Sequence, residues 1–266
     1  MKLTIEDLQE KNKRAEFLAM FGVPITPDRR KHLLEEGFAP SEEISCMDWI
    51  WCQWLLNGPV AEIRSRVQQI VDRGMEMQEI SPRFFNRPTH DLFLLQCAIF
   101  ASDKSQLENL AERVVDASGY KKYKPQNNGE LFESAWCGMF KYWVLGDRKT
   151  AVKQAEVFAD AYRFPNLRTS SKPLVTAWLK EDWELFVKQQ KKEFSKHWER
   201  IRKDRWQPIK KENGEEITVS VDRFSPRQSW CWSDCGMALL AHRQGVQVAT
   251  DDFWFPPHAL KCACPS

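Results

Sequence analysis

Leu92-Phe93-Leu94-Leu95, then Ser102-Asp103, then Leu107, Leu110 and Val114 form the stretch on which the fold turns. The first part is apolar almost without interruption, and the second recurs at spacings of three and four, the mark of an amphipathic helix. Between them a two-residue junction ends in an aspartate that can cap the second helix. One helical hairpin is implied. The same order returns at Phe132-Glu133-Ser134-Ala135-Trp136, Trp143, Gly146-Asp147, Ala151-Val152, Ala155, Phe158 and Tyr162, with Gly146 suited to a left-handed stop and Asp147 to a cap. The two junctions lie 44 residues apart. A third copy runs from Leu174 through Trp178 to Trp183 and on along one face through Val187, Phe194, Trp198 and Ile201. Its junction has advanced by about 34 residues, a length familiar from two-helix solenoid units.

Outward from this centre, Thr4 with Asp7 three positions on reads as the start of a helix over about residues 4 to 21, stopped by Gly22 before Pro24. Ser41 is the expected cap of a second helix, whose rings at Trp49, Trp51 and Trp54 lead to the stop at Asn57-Gly58-Pro59. Val60, Ile63, Val67, Ile70 and Val71 then make one apolar stripe, with Glu62, Arg64, Arg66 and Asp72 on the other faces. Toward the C-terminus, residues 229 to 244 form a helix apolar nearly all round, which predicts burial. Gly236, Ala238 and Ala241 allow close approach there, Gly245 is its stop, and Pro256-Pro257 is expected to hold the tail extended. One segment departs from helix: residues 209 to 221 alternate around Asn213-Gly214, the strongest short hairpin signal. The expected fold is therefore all-α, a helix-pair (α/α repeat-like) array with a small inserted β-hairpin near residues 209–221. An irregular helical bundle is the alternative. The chain reads as one helical domain over 1–266, with N-terminal helices (1–80), helix-pair repeats (89–205), the hairpin insertion (206–225), and a closing helix with extended tail (226–266).

Composition agrees with long helices. Eleven glycines and 14 prolines in 266 residues are too few for an all-β chain with a turn every ten residues. Thirty-nine basic against 37 acidic side chains exclude a polyanion-seeking protein, and 42% hydrophobic residues exclude a disordered one. Twelve tryptophans and 16 phenylalanines supply large rings either for packing or for anchoring a partner. Met1-Lys2-Leu3-Thr4-Ile5-Glu6-Asp7 lacks the apolar core of a secretory signal, and the longest apolar run, near Met237–Ala241, falls far short of the roughly 20 residues that span a bilayer. The expectation is a cytoplasmic protein with no membrane contact, its eight cysteines reduced and mostly buried as small hydrophobes.

Catalytic signatures are absent: no G-x-G-x-x-G, no G-x-x-x-x-G-K-[ST], no H-E-x-x-H and no G-x-S-x-G. The histidines, His32, His90, His197, His242 and His258, are scattered, so no catalytic residue is assigned and no enzyme is expected. Cys231, Cys235 and His242 with Cys262 and Cys264 carry zinc-ligand chemistry, but the first three share one buried-looking helix rather than a knuckle; no metal and no cofactor are assigned. Lys191, Lys192, Lys196, Arg200, Arg202, Lys203, Arg205, Lys210 and Lys211 interleave with Phe194, Trp198 and Trp206. Because those rings follow helical spacing and Glu193, Glu199 and Asp204 dilute the charge, nucleic acid is not the favoured partner.

The closing segment carries a resemblance. Ser233-Asp234-Cys235-Gly236-Met237-Ala238-Leu239-Leu240-Ala241-His242-Arg243-Gln244-Gly245-Val246-Gln247-Val248, then Asp251-Asp252-Phe253-Trp254-Phe255-Pro256 and Leu260, resembles the end of helical immunity proteins from bacterial polymorphic toxin systems, immunity protein family forty-nine. The likeness covers roughly the last forty residues and is general upstream; the tail Lys261-Cys262-Ala263-Cys264 and the Asn-Gly ribbon depart from it. It implies a cytoplasmic protein that binds a cognate toxin protein stoichiometrically and blocks it, without catalytic residues. The expected contact residues are Asp251, Asp252, Phe253 and Trp254, joined by Glu215 and Glu216, because acids beside aromatic anchors suit a basic enzyme such as a nuclease. A packing role for Phe253 and Trp254 against the last helix is the competing reading. A helical-repeat adaptor and a nucleic-acid-binding helical protein are the rival functions.

Overall fold

The computed structural model describes residues 5–19, 40–80, 88–114, 116, 128–161, 172–205, 209–210, 216–217, 232–252 and 255–263. Eleven helices fall within them: α1 (Ile5–Ala19), α2 (Pro40–Leu55), α3 (Val60–Ile80), α4 (Pro88–Ala101), α5 (Lys104–Arg113), α6 (Asn128–Val144), α7 (Arg148–Ala161), α8 (Lys172–Leu179), α9 (Trp183–Arg205), α10 (Trp232–Arg243) and α11 (Pro257–Ala263).

Four tight junctions organise these helices, and each makes the same backbone bond. The carbonyls of Pro59, Asp103, Asp147 and Asp182 accept from the amides of Ile63, Leu107, Ala151 and Phe186 at 3.0, 3.1, 3.0 and 2.8 Å, and every one of those four donors has its side chain in the core. Three junctions add a side-chain cap. Asp103 accepts from the Gln106 amide at 2.8 Å, Asp147 from the Thr150 amide at 3.0 Å, and Asp182 from the Leu185 amide at 3.1 Å, each satisfying a donor that the helix start leaves unpaired. Three of the four preceding helices, α2, α6 and α8, stop by reversing handedness. Asn57, Gly146 and Glu181 have φ of 51°, 80° and 55°. In α2 and α8 the reversal is closed by a six-to-one bond, Gly58 to the Gln53 carbonyl and Asp182 to the Ala177 carbonyl; α10 ends likewise, with Val246 bonded to Ala241 past Gly245. A repeated stop-and-cap signal thus becomes a repeated corner.

Helix α4 is the hub. Its residues from Asp91 to Ala101 are all buried, and it packs against α3, α5, α6, α10 and α11. Helix α1 packs on α2, α6 on α7, α8 on both α7 and α9, and α5 on α6. Successive hairpins meet through equivalent residues: Trp143 and Trp178, each four positions before its capping aspartate, stack with centroids 3.8 Å apart. The Arg148 guanidinium lies 3.5 Å from the Trp143 ring centre and pairs with Glu181 at 3.0 Å, so the stack is covered at the surface by a cation held in place. Helix α10 comes close enough to α6 that a Cβ on Gly236 would stand 3.0 Å from Phe140, which explains a glycine in a buried helix.

Three expectations need correction or placement. The inserted β-hairpin near 209–221 is not supported: Ile209–Lys210 pairs antiparallel with Glu216–Ile217 over two residues a side, and the rest of 206–225 lies outside the described residues. A two-stranded ladder that short is marginal in water by itself. The tail is not extended, because Pro257 opens α11; at a first helical position proline lacks only a donor that would be unpaired anyway, so Pro256-Pro257 starts a helix here. Helix α2 begins at Pro40, one residue before the expected Ser41 cap, for the same reason. Thr4, Gly22, Pro24 and Tyr162 lie outside the described residues.

Replacing Asp103 or Asp182 with alanine is expected to lower unfolding free energy by about 1 kcal/mol each. The two junctions share no side-chain partner, so the double variant should lose about 2 kcal/mol. Urea denaturation followed by circular dichroism checks both values, and a double variant no weaker than either single one contradicts independent caps.

Candidate partner-binding surface

The segment after α10 is built from the core outward. Gln190 of α9 is buried and accepts from the Ala249 amide at 3.1 Å, fixing the chain as it leaves Gly245. Phe255 is wholly buried, edge-on to Trp54 of α2 with centroids 6.4 Å apart. Between these anchors the Asp251 amide donates to the Phe255 carbonyl at 3.0 Å, a single antiparallel bridge at the base of a loop. Asp252 is exposed beyond the bridge, and Asp251 is half-buried. Phe253, Trp254 and Glu215 lie outside the described residues, and Glu216 belongs to the two-residue strand. Of the six expected contact residues, the described structure therefore brings only Asp251 and Asp252 together.

Sequence reasoning missed the residues that hold this segment. His258 Nε2 donates to the Gly58 carbonyl at 2.7 Å, joining α11 to the α2–α3 junction 200 positions away. Nothing local to Pro256-Pro257-His258 signals that partner. Gln190 is likewise one polar residue on a long helix, distinguishable only once its amide-facing position is seen.

Buried chemistry is limited and mostly inert. Cys46, Cys52, Cys97, Cys137, Cys235 and Cys262 are all free and buried. Burial pushes Cys52 up to about 12, against a lowering influence from Lys11, and Cys262 up to about 11, so their thiolates, the reactive form, are scarce near neutrality. Burial also raises Cys137 strongly, aided by Asp91. Cys231 and Cys264 lie outside the described residues, and His242 Nδ1 faces the Val246 carbonyl at 3.4 Å. Among the described residues no group of three His, Cys, Asp or Glu side chains is placed to hold a metal ion. On α9 the ring of Phe194 is buried while Lys191 and Lys192 are exposed and Lys196 pairs with Glu193 at 2.7 Å, so there the ring faces the core and the charges face out. Trp206 and Lys211 lie outside the described residues.

Asp234 is the exception to inertness. Burial holds its carboxyl well above the ordinary range, and Glu193 of α9 adds to the shift. Asp234 Oδ1 is buried without a hydrogen-bond donor. It lies in the first turn of α10, where the helix dipole favours a carboxylate by about 0.3–1 kcal/mol, less than the several kcal/mol by which burial disfavours an unpaired charge.

Comparison with family models, curated proteins and solved structures finds no match to the chain. No helix among the described residues is long and apolar enough to cross a membrane.

A carboxyl raised in the fold contributes stability below its unfolded value that is lost as pH rises toward its folded value. Asp234→Asn should therefore unfold at higher denaturant than the parent at pH 8, with the gap closing toward pH 4; a gap that is constant with pH contradicts the assignment. An aromatic disulfide reagent at pH 8 should react promptly with at most two of the eight cysteines, the six buried ones reacting only on denaturation.

Proposed function

We propose that the chain is an immunity protein that binds a cognate bacterial toxin domain and neutralises it by stoichiometric protein–protein interaction in the cytoplasm. The observation that carries this reading is the construction of the segment bearing the family resemblance. Its described apolar residues lie in the core or pack against it, and its exposed acid, Asp252, follows a bridge whose flanks are tied to α2 and α9. A loop held at its base loses little conformational freedom on association, which is where a binder without catalytic machinery gains affinity. Acids at such a loop attract a basic toxin face, a nuclease among them, and raise the rate of encounter more than they deepen the bound state. Asp251, Asp252, Phe253 and Trp254 remain the proposed contacts, together with Glu215 and Glu216.

Co-expression with a candidate toxin domain, sought first in the reading frame immediately upstream, is the test. The parent should restore growth and co-purify with the toxin. Asp252→Lys should slow association at least tenfold at low salt, with the difference shrinking as salt rises. A stable complex without rescue favours the adaptor reading instead, and neither rescue nor complex ends the immunity reading for that toxin.

A further inference from the structure

Away from the C-terminal loop, a groove of about 300 Å³ runs between α7 and α8, its floor Val152, Ala155, Val175 and Leu179, with Lys172 and Lys180 at opposite ends of α8. Val152 is 39% exposed and adjoins half-buried Ala155 and Leu179, so the groove's floor is an apolar surface open to solvent. The two lysines are eight residues apart, about 12 Å along the axis. Glu156 is the acid on the groove's wall. Lys149 and Lys153, exposed one turn from Val152 and Glu156 respectively, extend the positive rim along α7. The acids nearest the α8–α9 end are already engaged: Asp147 and Asp182 cap helices, and Glu181 pairs with Arg148.

The geometry points to this groove as a second contact surface for the partner protein, taking a short amphipathic segment whose apolar side chains are flanked on both sides by carboxylates. The identity of that partner as a toxin rests on the function proposed above; the chemistry of the segment does not. Charge complementarity selects the occupant. A linear fatty carboxylate would use one lysine and leave the other facing an alkyl chain, whereas a two-turn peptide helix with acids at both ends answers both and lays its apolar face on the floor between them. The groove is about two helical turns long, so it offers room for about two anchor side chains. Its sign is opposite to that of the acidic loop at Asp251 and Asp252, so the two surfaces would hold different parts of one partner and fix its orientation.

The probe is a fluorescein-labelled synthetic helical peptide bearing two leucines one turn apart between glutamates two turns apart, titrated against the full chain. Saturable binding is expected, weakened at least tenfold by Val152→Glu and by the double variant Lys172→Glu, Lys180→Glu. Lys191→Glu with Lys192→Glu, on α9, should leave it unchanged. All these positions are exposed, and thermal unfolding of each variant separates lost binding from lost fold. Absence of saturable binding to the parent, equal binding by the groove variants, displacement of the peptide by dodecanoate at equal concentration, or a dimer of the chain that Val152→Glu dissolves would each overturn the assignment. In the co-expression assay, a Val152→Glu variant that rescues as well as the parent also overturns it. Failure of the parent itself to rescue, with peptide binding and its variant pattern intact, removes the toxin reading and leaves the groove supported.

Discussion

A helix with no solvent face constrains everything around it. From Asp91 to Ala101 helix α4 turns every side chain inward, and five other helices are needed to cover it. Its end is secured by polar bonds that an apolar neighbour cannot supply. Ser102 Oγ donates to Gln68 of α3 at 3.0 Å, and the Ser102 carbonyl accepts from Arg243 of α10 at 2.7 Å. Carbonyls at a helix end are unpaired within the helix, so an arginine arriving from 141 positions away completes the stop that the sequence begins. Where α4 sits determines where α3, α6 and α10 must sit.

The array is then closed by its last residues. Gln190 holds the chain at Ala249, Phe255 lies against Trp54, and His258 reaches the Gly58 carbonyl, so the C-terminal segment connects α9 with the α2–α3 junction. Such long-range ties join helices that are far apart in sequence, which contacts between neighbouring helices alone would not do. Asp234 of α10 is buried within electrostatic reach of Glu193 of α9, and a protonated carboxyl is favoured there because ionisation would leave a buried charge. That arrangement is a cost in stability rather than a source of it, and the cost grows as pH rises from the unfolded carboxyl value toward the raised folded one.

Two surfaces of opposite character emerge. One is an acidic loop clamped at its base; the other is an apolar groove with cationic ends. Of the 12 tryptophans, only Trp254, which lies outside the described residues, belongs to the proposed contacts. Trp49, Trp54, Trp136 and Trp178 are almost completely buried, and Trp143 is 3% exposed, so these rings serve packing rather than partner contact.

Local patterns determined the local elements. The aspartates at 103, 147 and 182, the alternation of apolar and amphipathic helices, and the small residues of α10 all act within a few positions of themselves, and their consequences were legible from spacing alone. Asn213-Gly214 was legible in the same way but lies outside the described residues, and the two-residue pairing that flanks it does not support the expected hairpin element. Pro256-Pro257 misled: proline is compatible with both an extended tail and a first helical turn, and the core facing Ala259, Cys262 and Ala263 selects the helix. The pairing of Trp143 with Trp178, the seat of His258 on Gly58, the burial of Asp234 beside Glu193 and the groove between α7 and α8 were decided only in three dimensions. Each depends on which residues from distant turns come to share one space, and a linear chain carries no periodicity for that.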